Sequence, residues 1–166
     1  MDNEQFAGFY ERTARPLWAY LARISGDPAL AEDLLQESYV RFLGARIPDG
    51  EVACRRYLFR IGTNLLRDHW RRPAAAPLES IAEPSHGPEQ QRACDHMDSV
   101  ALLGPALEQM KPRDRQMLWL AYAEGASHRE IAEIMGLGAG SIRLLLFRAR
   151  RKLARLLRSQ GQGQAV

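Results

Sequence analysis

The sequence predicts an all-α protein built from two small helical domains that a flexible linker joins. Apolar residues recur three and four positions apart along most of the chain, and no run alternates with the period of two that is typical of a strand. Between the two helical parts lies a stretch with four prolines, scattered acids and no apolar period. We therefore expect domains at residues 1–72 and 98–158, a linker at 73–97 and a disordered Gly-rich tail at 159–166.

Charge is segregated along the chain. The net charge of the 166 residues is only +3, but residues 1–50 sum to −3, residues 51–72 to +4, residues 73–98 to −4 and residues 99–166 to +6. Two basic blocks that alternate with two acidic ones predict two nucleic-acid-binding surfaces and at least one surface with another role.

Composition narrows the class of protein. An apolar content of 46% and a charged fraction of 26% are typical of a globular protein. The chain has two cysteines and neither a signal peptide nor a long apolar run, so we expect a reduced, cytoplasmic protein without membrane insertion. The stretch Cys94-Asp95-His96 lacks the four spaced ligands of a structural metal site. With no Gly-rich phosphate loop and no nucleophile beside a base, the sequence predicts no enzyme, no cofactor and no metal.

The first two helices have recognisable sequence signals. Apolar periodicity predicts a helix over Asn3–Ser25, which Pro16 is expected to kink or break. Asp27 is a good N-cap and Pro28 suits the first position of a second helix. Its buried side is predicted to comprise Ala31, Leu34, Leu35, Ser38, Tyr39 and Phe42.

The opposite side of the second helix carries an acidic stripe, defined by Asp33, Gln36, Glu37 and Val40. These residues are spaced i, i+3, i+4 and i+7, so they lie on one face. An apolar contact framed by carboxylates is typical of a surface that binds a basic protein partner. The spacing alone fits a merely solvated face equally well.

A third helix is predicted over Glu51–Arg72, with a basic outer face. Arginines interleaved with aromatic rings suit single-stranded nucleic acid, because guanidinium groups contact phosphates while rings stack on unpaired bases. The alternative is that the rings border the core and the arginines only solubilise the helix. The inner side is predicted to comprise Cys54, Leu58, Ile61, Gly62, Leu65 and His69. The outer side is predicted to comprise Arg56, Arg60, Thr63, Asn64, Arg67 and Arg71, flanked by Tyr57, Phe59 and Trp70.

The strongest pattern lies in the last third of the chain. A helix is expected from near Glu89, interrupted at Gly104-Pro105, and Pro112 should begin the next one. Ser127 and Glu130 then have the spacing of a capping box, and Gly136 suits a sharp turn with positive φ. The following helix has an apolar side, seven Arg or Lys residues and no acid, which favours a helix-turn-helix that binds duplex DNA over an ordinary helical hairpin. Its predicted apolar side comprises Ile142, Leu145, Leu146, Ala149 and Leu153.

Three of these segments together resemble the extracytoplasmic function (ECF) sigma factors of the sigma-70 family. They are Ala31–Arg41, Tyr57–Arg72 and the helix-turn-helix with Phe147–Leu153, and the resemblance covers residues 5–72 and 98–157. It implies a sigma-2-like helical bundle followed by a sigma-4-like four-helix domain. It also implies a transcription initiation factor without catalytic activity, whose partners are core RNA polymerase, through the β′ clamp helices and the β flap, and promoter DNA. The −35 element would be bound as duplex and the −10 element as single strand.

The helix faces and the resemblance together give three sets of contact residues. Polymerase binding is expected from Asp33, Gln36 and Glu37, with Val40 beside them. The −10 element is expected to contact Arg56, Tyr57, Arg60, Thr63, Asn64, Arg67, Trp70 and Arg71. The −35 element is expected to contact Arg129, Gly140, Ser141, Arg143, Leu144, Phe147, Arg148 and Arg151. A mobile linker and exposed apolar residues further suggest an anti-sigma factor that clamps both domains.

The recognition helix departs from the family pattern at Leu144, Leu145 and Phe147, which replace polar residues. By helical angle Leu145 borders the core, whereas Leu144 and Phe147 point outward. These two side chains could contact thymine methyl groups or form a patch that an inhibitory protein buries. A dimeric helix-turn-helix regulator is the alternative function, but it leaves the acidic stripe and the third helix without a role.

Overall fold

The structure, a computed structural model, describes residues 1–72 and 103–163. Every element in these two ranges is a helix, and the chain divides into two compact units, so the predicted fold class is confirmed. The predicted linker at 73–97, the start of a helix near Glu89, the stretch Cys94-Asp95-His96 and the last three residues lie outside the described ranges.

The first unit is a bundle of three helices, α1 (Asn3–Ser25), α2 (Pro28–Gly44) and α3 (Glu51–Arg71), each of which packs against the other two. The Asp2 side chain begins α1 with a capping box, and the Asp27 carboxylate begins α2 by accepting hydrogen bonds from two amides. The six residues predicted for the inner side of α2 are all buried. The largest fully buried side chains of the unit are Phe9, Leu17, Tyr20, Leu21, Ile24, Leu35, Phe42, Leu58, Phe59 and Leu66.

Helix α1 runs without a break through Pro16, so of the two predicted effects, a kink or a break, the break is wrong. A proline in a helix interior costs about 3 kcal/mol, because it removes one hydrogen bond and crowds the preceding turn. Phe9 lies buried before Pro16, and Leu17 and Trp18 lie buried after it. Each such side chain contributes roughly 1.5–3 kcal/mol when it is fully buried, so packing on both sides outweighs the cost.

Two features set how closely α3 approaches its neighbours. Gly62 lies where α3 meets the other two helices: a Cβ atom there would be 3.1 Å from Leu17 Cδ1 of α1 and 3.4 Å from Ser38 Oγ of α2. Near this contact, the Tyr20 and Thr63 hydroxyls form a hydrogen bond of 2.9 Å between α1 and α3. Close backbone packing and a buried polar pair therefore fix the rotation of α3 about its own axis.

The second unit contains α4 (Gly104–Glu108), α5 (Pro112–Tyr122), α6 (His128–Met135) and α7 (Ala139–Gly163). As predicted, Pro112 begins α5, and Gly136 has a φ of 67° at the turn between α6 and α7. The Ser127 hydroxyl accepts a hydrogen bond from the Glu130 amide at 3.1 Å, which is one half of the predicted capping box. Helix α7 packs against α4, α5 and α6, with Ile142, Leu146 and Ala149 fully in the core.

Helix α7 is longer than the sequence predicted. It continues to Gly163, so the prediction of a disordered tail is wrong for residues 159–163. A helix that is already formed adds a residue for one hydrogen bond without a new nucleation cost, which offsets the poor helix propensity of the glycines in this stretch. Composition alone favoured disorder because it takes no account of the preceding five turns.

Candidate protein-binding and nucleic-acid-binding surfaces

The acidic stripe of α2 is exposed along its whole length. Asp33, Gln36 and Glu37 are all open to solvent, and Val40 has 65% of its surface exposed. An aliphatic side chain this exposed at the end of a polar row can be buried by a partner. The surrounding carboxylates would attract a basic partner over a distance of about 10 Å. The stripe is therefore accessible to a partner, and its role in binding stays a prediction.

Two residues that the sequence analysis did not include extend this surface. Leu43 follows Val40 by three positions and has about half of its surface exposed, so the apolar part of the stripe continues for another turn. Arg41 Nε lies 2.8 Å from Glu37 Oε1, in an i,i+4 ion pair between two half-exposed side chains. Such a pair contributes only a few tenths of a kcal/mol, so a basic partner can compete for Glu37. The i,i+4 spacing was the signal that could have identified Arg41.

The basic face of α3 is defined by Arg56, Arg60, Asn64, Arg67 and Arg71. At 100° per residue these five side chains fall within an arc of about 80°. Arg60, Asn64 and Arg71 are exposed, and Arg56 and Arg67 are half-buried. Four of the five residues are arginines, and the neighbouring carboxylate of Asp68 offsets only one of their charges. The face therefore has a strong positive charge.

Three residues of α3 do not lie where the sequence predicted. Thr63 and Phe59 were assigned to the outer side, but both are buried, and Thr63 bonds to Tyr20. His69 was assigned to the inner side, but it is exposed. The reason is that the buried arc of α3 spans about 200° at 100° per residue, so it is wider than one contact stripe and includes Phe59, Thr63 and Leu66. Burial ends at Leu66, and the last turn of α3 extends beyond the bundle.

Aromatic rings flank the basic face on both sides. Trp70 has 40% of its surface exposed in the last turn of α3. Tyr57 is half-buried, and its ring centroid lies 6.1 Å from that of Phe42 in the core. Tyr57 therefore has a fixed orientation, whereas Trp70 is free to stack on a planar group.

The helix-turn-helix presents a second cationic surface. Arg129 of α6 is exposed near the start of its helix, and its guanidinium lies 3.9 Å from Glu133. On α7 the predicted DNA-contacting residues are all exposed, namely Gly140, Ser141, Arg143, Leu144, Phe147, Arg148 and Arg151. Arg150 points elsewhere, because its Nη1 donates a hydrogen bond to the Tyr122 hydroxyl at 3.0 Å. The turn brings the N-terminal half of α7 to the surface beside α6, as the recognition helix of this motif requires.

Titratable groups in the core of the first unit stay neutral. Burial raises the pKa of Tyr39 to about 12, and its hydroxyl forms a hydrogen bond of 2.6 Å with Thr13. Burial, together with Asp49 and Glu51, also raises the pKa of the Cys54 thiol, which donates to the Pro48 carbonyl. These groups hold the helices together, and the geometry does not activate either as a nucleophile.

Neither a metal site nor a membrane span is present in the parts of the chain that the structure describes. No group of three or more potential metal-ligating side chains occurs at 1–72 or 103–161. No helix within the described ranges is both long and apolar enough to cross a bilayer.

The two units match two known sequence families. Residues 9–75 match the family described as Sigma-70 region 2, and residues 102–153 match the family described as Sigma-70, region 4. The chain is also 31% identical over 158 residues to the RNA polymerase sigma factor CarQ of Myxococcus xanthus, covering 93% of this chain and 90% of CarQ. This chain belongs to the ECF group of sigma-70 factors. It directs promoter recognition and transcription initiation by RNA polymerase, and a dimeric helix-turn-helix regulator does not account for the match to region 2.

Another relative is similar to this sigma factor in sequence, and two solved structures are similar to it in fold. The ECF RNA polymerase sigma factor SigL of Mycobacterium tuberculosis is 29% identical over 157 residues, covering 92% of this chain and 88% of SigL. The fold matches that of the sigma factor RpoE of Bartonella quintana in complex with the anti-sigma factor NepR, with a TM-score of 0.66, 20% identity and coverage of 93% and 98%. It also matches CnrH in complex with the cytosolic domain of CnrY, with a TM-score of 0.61, 24% identity and coverage of 95% and 90%.

Proposed function

We propose that this sigma factor engages its partners through three separate surfaces, each already formed in the free protein. The acidic stripe of α2 binds the β′ clamp helices of core RNA polymerase. Asp33 and Glu37 steer and pair with basic residues, Gln36 supplies hydrogen bonds, and Val40 provides an apolar contact that becomes buried. The exposure of all four side chains supports this assignment. Leu43 extends the same contact.

The basic face of α3 binds the −10 element as a separated strand. Arg60, Arg67 and Arg71 contact phosphates, while Asn64 hydrogen-bonds to unpaired bases. Trp70 stacks on a base, which contributes roughly 1–3 kcal/mol and offsets part of the cost of unstacking. Arg56 and Tyr57 continue this surface toward the start of α3. Thr63 is removed from the proposed contact set because it is buried.

The N-terminal half of α7 binds the −35 element as duplex in the major groove, with Arg129 of α6 at a flanking phosphate. Arg143, Arg148 and Arg151 fix the helix on the backbone, while Gly140 and Ser141 allow a close approach at its N-terminus. The second unit also contacts the β flap. The initiation factor has no catalytic activity of its own and acts in the cytoplasm, where the polymerase is.

An anti-sigma factor controls the protein by covering both units. Two structures with the same fold are complexes, one of the sigma factor RpoE with the anti-sigma factor NepR and one of CnrH with the cytosolic domain of CnrY. Val40, Leu43, Leu144 and Phe147 are exposed apolar side chains that such a partner could bury on the two units. The cytosolic domain of a membrane protein and a soluble antagonist are both compatible with these surfaces.

The main support for the proposal is the basic face of α3. It lies opposite the buried side of the helix, and the packing of that side fixes the direction in which the basic face points. Run-off transcription with purified protein and core polymerase on a library of native promoters tests it. We expect discrete transcripts that require both components and that disappear when Arg60, Asn64 and Arg67 are all replaced by alanine. The matched control is Arg15→Ala, an exposed arginine of α1 outside the three surfaces. The absence of any transcript with the wild-type protein would contradict the proposal.

A further inference from the structure

The recognition helix exposes two large apolar side chains that a solvated helix has no need to present. Leu144 and Phe147 have 51% and 52% of their surfaces exposed, and they are spaced i, i+3 on α7. The adjacent Leu146 is buried in the core, and Leu145 is half-buried. Leu144 and Phe147 therefore form a separate apolar pair beside the core, and this pair is not required for packing within the unit.

Cations surround the apolar pair. Arg143, Arg148 and Arg151 are exposed next to it, and the Arg151 guanidinium carbon lies 5.8 Å from the centroid of the Phe147 ring. Helix α7 contains no acidic residue along its whole length. This charge suits a polyanion whose phosphates lie on both sides of an apolar feature. The floor of the DNA major groove has such a feature, because thymine projects its C5 methyl group there between the two phosphate backbones.

We propose that Leu144 and Phe147 read thymine methyl groups in the −35 duplex and so determine this protein's upstream sequence preference. The inference rests on the proposed function of α7. On the surface of a helix, residues i and i+3 have Cβ atoms about 5–6 Å apart, which spans one to two base steps of about 3.4 Å. The pair therefore reaches two neighbouring base steps, while the arginines fix the position of the helix on the phosphates. Leu and Phe carry no hydrogen-bonding group, so they discriminate by apolar contact alone.

Uracil substitution tests this inference directly, since deoxyuridine lacks only the C5 methyl group of thymidine. The probe is a synthetic duplex copied from the native promoter that gives the strongest run-off transcript with the complete holoenzyme. Each thymine of its −35 element is replaced singly by uracil, and competition binding measures the affinity of the holoenzyme. One buried methyl group contributes ~0.8 kcal/mol, which corresponds to about fourfold in affinity. We expect a loss of this size at one or two positions.

The variants Leu144→Ala and Phe147→Ala identify which side chain makes each contact. Alanine is the better helix former, so both variants should fold, and circular dichroism checks this. Each variant should lose the uracil effect at its own position and keep it at the other. The control is Val52→Ala, which removes an apolar side chain with 66% of its surface exposed from the first unit and should retain both uracil effects.

Three results would overturn the inference while leaving the proposed function intact. The first is transcription from a promoter whose −35 duplex contains no thymine on either strand. The second is an affinity unchanged by uracil at every position. The third is an undiminished uracil effect in both variants, which would mean that the apolar pair serves a protein partner instead. If the wild-type holoenzyme starts no transcript, the proposed function itself fails.

Discussion

Thr63 and Asn64 are adjacent in sequence but lie in opposite surroundings, and this difference tests the orientation of α3. Thr63 is buried against Tyr20, whereas Asn64 is exposed on the basic face. Replacing Thr63 by valine keeps the shape of the side chain and removes only the hydroxyl. We expect Thr63→Val to lower the free energy of unfolding of the first unit by about 1 kcal/mol, the net contribution of one hydrogen bond. Asn64→Ala should change it by less than about 0.5 kcal/mol.

A double-mutant cycle isolates this hydrogen bond. Because the two hydroxyls lie 2.9 Å apart, Tyr20→Phe should also destabilise the unit. The double variant Tyr20→Phe/Thr63→Val should cost less than the sum of the two single changes, with a coupling free energy on the order of 1 kcal/mol. Thermal unfolding of the full chain measures it, since 1 kcal/mol shifts the melting temperature of a domain this size by about 4–8 °C.

Promoter melting should also distinguish the role of Thr63 from that of Asn64. In permanganate footprinting with the holoenzyme, Asn64→Ala should reduce the reactivity of thymines in the −10 element. Thr63→Val should leave that reactivity unchanged at temperatures where the variant is folded. If Thr63→Val instead abolishes melting without destabilising the protein, Thr63 faces the DNA, and the assigned rotation of α3 is wrong.

Three further predictions concern the other elements. Charge reversal with Asp33→Lys and Glu37→Lys should weaken binding to core polymerase by about tenfold or more in a pull-down titration, while Glu11→Lys on the exposed side of α1 should not. The pKa of Tyr39 is raised above its unfolded value of about 10, so its contribution to stability is complete below pH 10 and is lost as the pH rises to about 12. Urea unfolding at several pH values should show this loss, and Tyr39→Phe should lack it. Ser127→Ala removes the cap of α6 and should destabilise the second unit by about 1 kcal/mol in thermal unfolding, whereas a variant as stable as the wild type would mean that the cap is dispensable.

Helix α2 is the element whose burial was predicted most completely. Its cap, its six buried residues and its exposed acidic stripe all follow from local spacing, because Asp27 and Pro28 set its start and its buried residues fall within about 140° at 100° per residue. Helix α3 was predicted less well for a physical reason. Periodicity shows that a helix has an inner side, but it does not show how wide the buried arc is, and in α3 that arc spans about 200°. Thr63 was therefore assigned to solvent, although a tyrosine from α1 supplies its partner.

Pro16 and the C-terminal tail illustrate a second limit. Local rules correctly identify how much free energy each residue adds to or removes from a helix. The stability of the helix, however, depends on the sum of these contributions over the whole element. At Pro16 that sum includes buried side chains on both sides, and at the end of α7 it includes a helix already formed. The roles of the three surfaces were predictable only as far as charge and exposure determine them, since the partners themselves are not part of the chain.

Gly62 links the packing of the first bundle to the distance between two of the proposed contact surfaces. A Cβ atom at this position would lie 3.1 Å from Leu17 Cδ1 and 3.4 Å from Ser38 Oγ, so these neighbours would have to give by a few tenths of an ångström. Helix α3 carries the basic face and helix α2 carries the acidic stripe. The absence of a side chain at this buried position therefore helps to set how far apart those two surfaces are held, although Gly62 belongs to neither of them.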